Sequence, residues 1–284
     1  MKKALPILLV VSMIVLGTGF LFYPDISNWY NSRIHTGLVE EYHDNIARMS
    51  QEEIEDHFER AREYNNMLSG THIVDPFVVG SGAVLPPAHY LATLNIDGVM
   101  ARLEIPIIGV DLPVFHTTAM AVLDRGVGHI EGTSFPIGGD GAHSVLTGHS
   151  GLTHHRMFND LEKLTYGDLF FITVLDYKLA YEIDSIVTVL PHEIESLRID
   201  QSAHYVTLIT CTPYGVNSHR LLVRGARVPY HPGMADEIAP IARSIDWRLV
   251  VLGSLIPIFM IIFIVFKRQD KKRRNISQYP GLSL

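Results

Sequence analysis

Between residues 90 and 229 the chain is a succession of short apolar segments, each interrupted within a few residues by glycine, proline or aspartate. Ala101-Arg102-Leu103-Glu104-Ile105 alternates apolar and polar side chains, as does the start of 112–115. Further segments of strand character lie at 144–147, 169–175, 179–183, 185–190, 205–211 and 220–228. Many short strands with few helices between them predict a mainly β domain, closed or nearly closed into a barrel so that its edges are not exposed. Within this region only 157–164 reads as a helical turn or two, ending before Tyr166-Gly167-Asp168.

The flanks differ. Residues 25–69 read as helical: Ser50-Gln51-Glu52-Glu53 matches a capping box, Ile54, Phe58 and Ala61 follow at helical spacing, and Gly70 ends the run. Residues 71–89 carry Pro76, Pro86, Pro87, Gly80 and Gly82 without periodicity and read as irregular. No internal repeats occur.

Two uncharged apolar blocks bracket the chain. The first, 4–23, follows Lys2 and Lys3; the second, 249–266, precedes Lys267, Arg268, Lys271, Lys272, Arg273 and Arg274. Each is about long enough to cross a hydrocarbon core of roughly 30 Å as a helix. The first fits a signal segment or an uncleaved anchor, and the bulky Phe20-Leu21-Phe22-Tyr23 run after Gly17-Thr18-Gly19 is a poor cleavage site. The basic run after the second obeys the positive-inside rule, with Trp247 at the interface. The expected organisation is therefore a membrane anchor or signal segment at 1–24, a helical region at 25–70, an irregular segment at 71–89 and a barrel at 90–229. A linker at 230–246, a membrane helix at 247–266 and a basic cytoplasmic tail at 267–284 complete it. The barrel lies outside the cytoplasm, tethered to membrane lipid by two helices with both termini inside.

An exported domain with one cysteine cannot use it in an internal disulfide. The net charge of −7 includes the basic tail, so the exported part is more acidic still, and no basic patch with interleaved aromatics is present. Nucleic acid is not an expected partner.

The lone thiol sits in Thr207-Leu208-Ile209-Thr210-Cys211-Thr212-Pro213, at the end of a strand-like apolar run and ahead of Pro213 and Gly215, which turn the chain. Arg220 opens the next strand-like run, so a hairpin would return it beside Cys211. Arginine is no base, but its fixed cationic fork can hold a carbonyl oxygen or developing oxyanion. His149, in Leu146-Thr147-Gly148-His149-Ser150-Gly151, also follows a short apolar strand. An imidazolium or guanidinium nearby lowers a thiol pKa from about 8.5, and the imidazole can give a proton to a departing amine.

These segments resemble the sortase family. Thr207 to Pro213 followed by Asn217-Ser218-His219-Arg220-Leu221-Leu222-Val223-Arg224-Gly225 is similar to its active-site signature, and Thr147-Gly148-His149 to its histidine motif. The stretch from Leu161 through Asp168 resembles its Leu-x-x-Leu-x-x-Gly-Asp segment. The resemblance covers roughly 90–228 and implies an eight-stranded sortase barrel with Cys211, His149 and Arg220 as the catalytic residues. It further implies a transpeptidase that needs no cofactor and cleaves an LPxTG-like sorting signal between threonine and glycine. Its partners would be proteins bearing that signal.

Two features resemble the pilus-building class C in particular: the second apolar block and Asp75-Pro76-Phe77 ahead of the barrel. In class C a lid aspartate meets the catalytic arginine and a lid aromatic covers the thiol. The resemblance thus assigns Asp75, Pro76 and Phe77 to a lid and a pilin lysine amine as acceptor. The alternative is a housekeeping sortase that transfers surface proteins to a cell-wall precursor amine. Ser150 departs from the arginine that many class C sequences carry there. Thr210 and Ser218 are given no direct chemical role. His149, His154 and His155 cluster in sequence, but their spacing matches no standard metal pattern, so no metal site is expected. Outside the family, an adhesin ectodomain would explain the anchors but not the cysteine motif. A simple cysteine peptidase would differ by passing its acyl group to water.

Overall fold

The computed structural model describes residues 4–68, 77, 87–151, 156–193, 203–241 and 268, with the side chains of 4–11 and 14 excluded. The chain divides into two compact units, Met1–Ile241 and Ala242–Leu284. Only Arg268 of the second unit is described.

Eight strands form the closed barrel: β1 Val99–Ile105, β2 Val110–His116, β3 Val127–His129, β4 His143–Thr147, β5 Leu169–Val174, β6 Tyr177–Val189, β7 Tyr205–Thr212 and β8 His219–Val228. They close in the order β1-β2-β3-β4-β7-β8-β6-β5. All pairings are antiparallel except β2 with β3 and β4 with β7. The parallel β4–β7 pair is what sets the functional geometry. It aligns the ends of two strands whose paired residues lie 62 positions apart, Thr207 against Val145 and Ile209 against Thr147.

Two expectations are corrected here. Segments 179–183 and 185–190 are one strand, β6, whose register against β8 shifts between Ile183 and Ser185. The bulge resets the alternation of side chains, so one strand reads as two. Its extra residue, Asp184, takes a two-pronged ion pair from Arg224 at 3.0 and 2.9 Å. The strand β3 was not anticipated, being only Val127-Gly128-His129. It exists because glycine allows close approach: a Cβ on Gly128 would stand 2.4 Å from the Thr117 carbonyl oxygen.

Ahead of the barrel run two helices, α1 Ala4–Ile46 and α2 Gln51–Met67. The break between them is the anticipated capping box: the Glu53 amide donates to Ser50 Oγ at 3.2 Å and the Ser50 amide to Glu53 at 2.7 Å. Both helices join the barrel core. Tyr42, 1% exposed, accepts from the Leu175 amide at 2.7 Å and donates to the Met100 carbonyl at 3.1 Å. Asn65 exchanges two hydrogen bonds with the backbone of Phe135. Short helices α3 Ala88–Ala92 and α4 Met120–Leu123 complete the described α-helices, and a 3-10 turn at Pro106–Ile108 joins β1 to β2. The turn expected at 157–164 is present and includes a 3-10 turn at Leu161–Lys163.

α1 runs through the first apolar block into the helical region. Among the described residues no helix is long and apolar enough to cross a membrane. Part of the first block's side chains and the whole second block, 249–266, lie outside the described residues.

Candidate active site

Cys211 is directly opposite Arg220 in the β7–β8 register. Strand alternation puts Ile209 and Cys211 on one face of β7, with Leu222 and Arg220 across from them on β8. That face carries a small apolar cluster of Ile130, Val145, Ile209 and Leu222, separate from the barrel core. The thiol is half-buried, and Arg220 is 5% exposed. The guanidinium donates from Nη1 to the Asn217 carbonyl at 3.2 Å and to that of His219 at 3.0 Å. Asn217 holds a left-handed backbone, φ 59°, in the turn that brings β8 back.

His149 follows β4 by two residues and is held by the chain around it. The Gly148 amide extends the β4–β7 ladder to the Ile209 carbonyl at 3.1 Å, and Thr210 Oγ1 donates to the Gly148 carbonyl at 2.7 Å. Ser150 donates its hydroxyl to the Cys211 carbonyl. The His149 carbonyl accepts from the Phe158 amide at 3.1 Å, and the Gly151 amide donates to Asn159 Oδ1 at 2.7 Å. A side chain on Gly148 would meet the Phe158 ring at 2.9 Å. Histidine loop and cysteine strand are therefore fastened to one another by backbone and hydroxyl bonds.

The imidazole itself is left open. Its side chain is 12% exposed, and Nε2 is buried with no hydrogen-bond partner among the described residues. The Asp124 carboxylate stands 4.0 Å from that nitrogen. Burial pushes the His149 pKa below its ordinary 6.5, and the Asp124 charge opposes that shift. Asp124, just after α4, was not found by sequence reasoning; nothing in Leu123-Asp124-Arg125-Gly126 marks it.

Phe77 is the one described residue of the expected lid. Its ring lies 5.1 Å from the Arg220 guanidinium carbon and 5.8 Å from the His149 ring, and it packs on the apolar cluster beside Val189. Asp75, Pro76, His154 and His155 lie outside the described residues. Cys211, Arg220, His149 and Phe77 thus meet at one end of β4, β7 and β8.

The Sortase domain family model matches residues 103–228. The structure is similar to sortase C-1 from Actinomyces oris, with 48% identity over 62% of this chain and 99% of that one, TM-score 0.58. It is also similar to sortase C-1 from Streptococcus pneumoniae, with 38% identity over 69% of this chain and 100% of that one, TM-score 0.66. The chain belongs to the sortase family. Within that family of cysteine transpeptidases its likeness is to class C. Sortase D of Bacillus subtilis is 32% identical over 136 residues, 44% of this chain. This sortase spans about 62% of the length of the curated relatives it matches.

Proposed function

We propose that this sortase is an extracytoplasmic, membrane-anchored transpeptidase. It cleaves an LPxTG-like sorting signal between threonine and glycine and transfers the acyl group to a pilin lysine. The observation that carries the reading is the facing pair Cys211 and Arg220, with His149 tied to the same strand end through Ser150. In this reading Cys211 attacks the threonine carbonyl as thiolate, forming the C–S bond. Arg220 steadies the oxyanion through charge-assisted hydrogen bonds. His149 protonates the glycine nitrogen as the C–N bond breaks, leaving a thioester. An amine then adds to the thioester, the C–S bond breaks, and sulfur regains its proton through the imidazole.

With the His149 pKa held below 6.5, the imidazole is mostly neutral at pH 7, and the proton-donating imidazolium is a minor species. Asp124 adds to that minority by its charge. In this reading Asp75, Pro76 and Phe77 form a lid over the empty site, the ring of Phe77 lying against Arg220 and His149.

The pilin acceptor is supported by the class C likeness. One similar structure is described by its pilin substrate specificity, another by a pilus island of group B Streptococcus. Anchoring by helices at 1–24 and 247–266, with the tail 267–284 in the cytoplasm, is supported by the apolar blocks and the basic run after the second. The test mixes the full-length protein in detergent with pilin subunits carrying the signal. A ladder of covalent multimers that disappears with Cys211→Ala is the expected result. Transfer only to a peptidoglycan-type amine would replace pilus assembly by the housekeeping reaction.

A further inference from the structure

The parallel ladder of β4 and β7 runs out beside the catalytic pair. Past Thr147 it is continued by the Gly148 amide, which donates to the Ile209 carbonyl at 3.1 Å. The chain then leaves β7. The His149 carbonyl turns to the Phe158 amide at 3.1 Å, and Gly151, with φ 84°, gives its amide to Asn159 Oδ1 at 2.7 Å. Between those two departures Ser150 reaches back with its side chain, and its hydroxyl donates to the carbonyl of Cys211 itself. Cys211 is two residues beyond Ile209, so both carbonyls point to the β4 edge of the strand. Ser150 therefore supplies the next rung of the ladder with an O–H in place of a backbone N–H.

The imidazole is not fixed through Nε2, which is buried without a hydrogen-bond partner among the described residues. Its place is set by the backbone on either side. Ahead of it the Gly148 carbonyl accepts from Thr210 Oγ1 at 2.7 Å, and behind it stands the Ser150 bond. The charged neighbours are held independently. Arg220 faces Cys211 through the β7–β8 register, with Nη1 on the Asn217 and His219 carbonyls, and Asp124 caps the end of α4. Losing the Ser150 hydroxyl would loosen the imidazole and leave both of them where they are. Position 150 is also where this chain departs from the arginine of many class C sequences, so the hydroxyl rung is its own arrangement.

We infer that Ser150 is a positioning residue: by tying the residue after the imidazole to the carbonyl of the nucleophile, its hydroxyl sets how far the His149 ring stands from the Cys211 sulfur. The inference rests on the transpeptidase reading above and adds what keeps its acid/base group in range. Proton transfer needs the imidazole within about 3 Å of the departing nitrogen. A misplacement of about 1 Å can cost about 10²-fold. The Thr210 bond to Gly148 remains when the Ser150 hydroxyl is removed, so the loop loosens without detaching and the loss is smaller.

The test uses the full-length protein in detergent, its Ser150→Ala and Ser150→Thr variants, and two readouts. Cleavage of an LPxTG-type peptide gives kcat and KM, and alkylation of Cys211 by iodoacetamide against pH gives the midpoint of the thiol. Ser150→Ala should lower kcat about tenfold while KM stays within about twofold of wild type. Its alkylation midpoint should rise toward the ordinary thiol value of about 8.5, because the imidazole stands farther off while Arg220 has not moved. Ser150→Thr keeps the donor and should recover most of both changes. Four results overturn the assignment and leave the thioester chemistry intact: wild-type values for Ser150→Ala, equal damage in both variants, a loss confined to KM, or a kcat loss with an unmoved midpoint. A wild-type protein that forms no peptide adduct on Cys211, read by mass spectrometry, overturns the transpeptidase reading instead. The alkylation midpoints of the two variants then still decide whether Ser150 holds the ring.

Discussion

Two histidines near each other on the barrel wall are buried to opposite ends. His129 closes β3 and is fully buried; its Nδ1 faces the Tyr90 hydroxyl at 3.0 Å and its Nε2 the Ser134 carbonyl at 2.9 Å. The ring stacks on Phe135 at 5.3 Å. His149, just past the neighbouring strand β4, is held through its backbone, while its buried Nε2 has no hydrogen-bond partner among the described residues. Burial lowers both pKa values, and that of His129 falls to about 3. The difference lies in satisfaction. A ring with both nitrogens partnered is locked neutral and serves packing, whereas a ring fixed only by its backbone can still gain and lose a proton.

The sharpest way to break this comparison is to remove each ring in turn. His149→Ala should cut transpeptidation by about 10³-fold while leaving the thermal midpoint close to wild type. Unfolding of that variant, or activity near wild type, would erase the distinction. His129→Ala should do the reverse, losing about 3 kcal/mol of stability in denaturant titration through the cavity and the orphaned Tyr90 and Ser134 groups.

The two rings also differ in their pH dependence. The folded pKa of His129 lies below the unfolded value of 6.5, so between about 3 and 6.5 the unfolded chain binds more protons there. Stability from His129 is full above 6.5 and is lost as the pH falls through this window. His129→Gln should flatten that slope in unfolding measurements from pH 7 to 4. An unchanged slope would mean that the ring titrates normally.

Smaller effects probe the open site. Phe77→Ala should raise the rate of thiol labelling at Cys211 by about three- to tenfold if the ring shields the resting sulfur, as an apolar cover excludes reagent and water. Equal labelling rates would remove Phe77 from the lid. Asp124→Asn should lower the His149 pKa further, a modest effect because the carboxylate is exposed and screened. Nuclear magnetic resonance titration of the imidazole in a Cys211→Ala background reads this directly. An upward shift or none would show that Asp124 does not act on the ring.

Much of the site is local in origin and therefore legible. A nine-residue spacing with Pro213 and Gly215 between two apolar runs forces a return, and Cys211 does pair with Arg220. The capping box at Ser50 needed only four consecutive residues and formed as read. Illegible were features that depend on distant partners. The pattern Val127-Gly128-His129 is too short to announce a strand, and β6 read as two because its bulge answers to β8. Asp124 looks like an ordinary solvated acid in sequence.

By itself, then, the sequence determined the strand-rich barrel, the order of its motifs and the residue types able to run thiol chemistry, because alternation, turns and reactive groups are written in short windows. Tertiary structure alone decided which histidine stays open and which acid stands near its imidazole. Those outcomes depend on burial and on electrostatics between elements many residues apart, and neither exists until the parallel β4–β7 pair has closed the barrel.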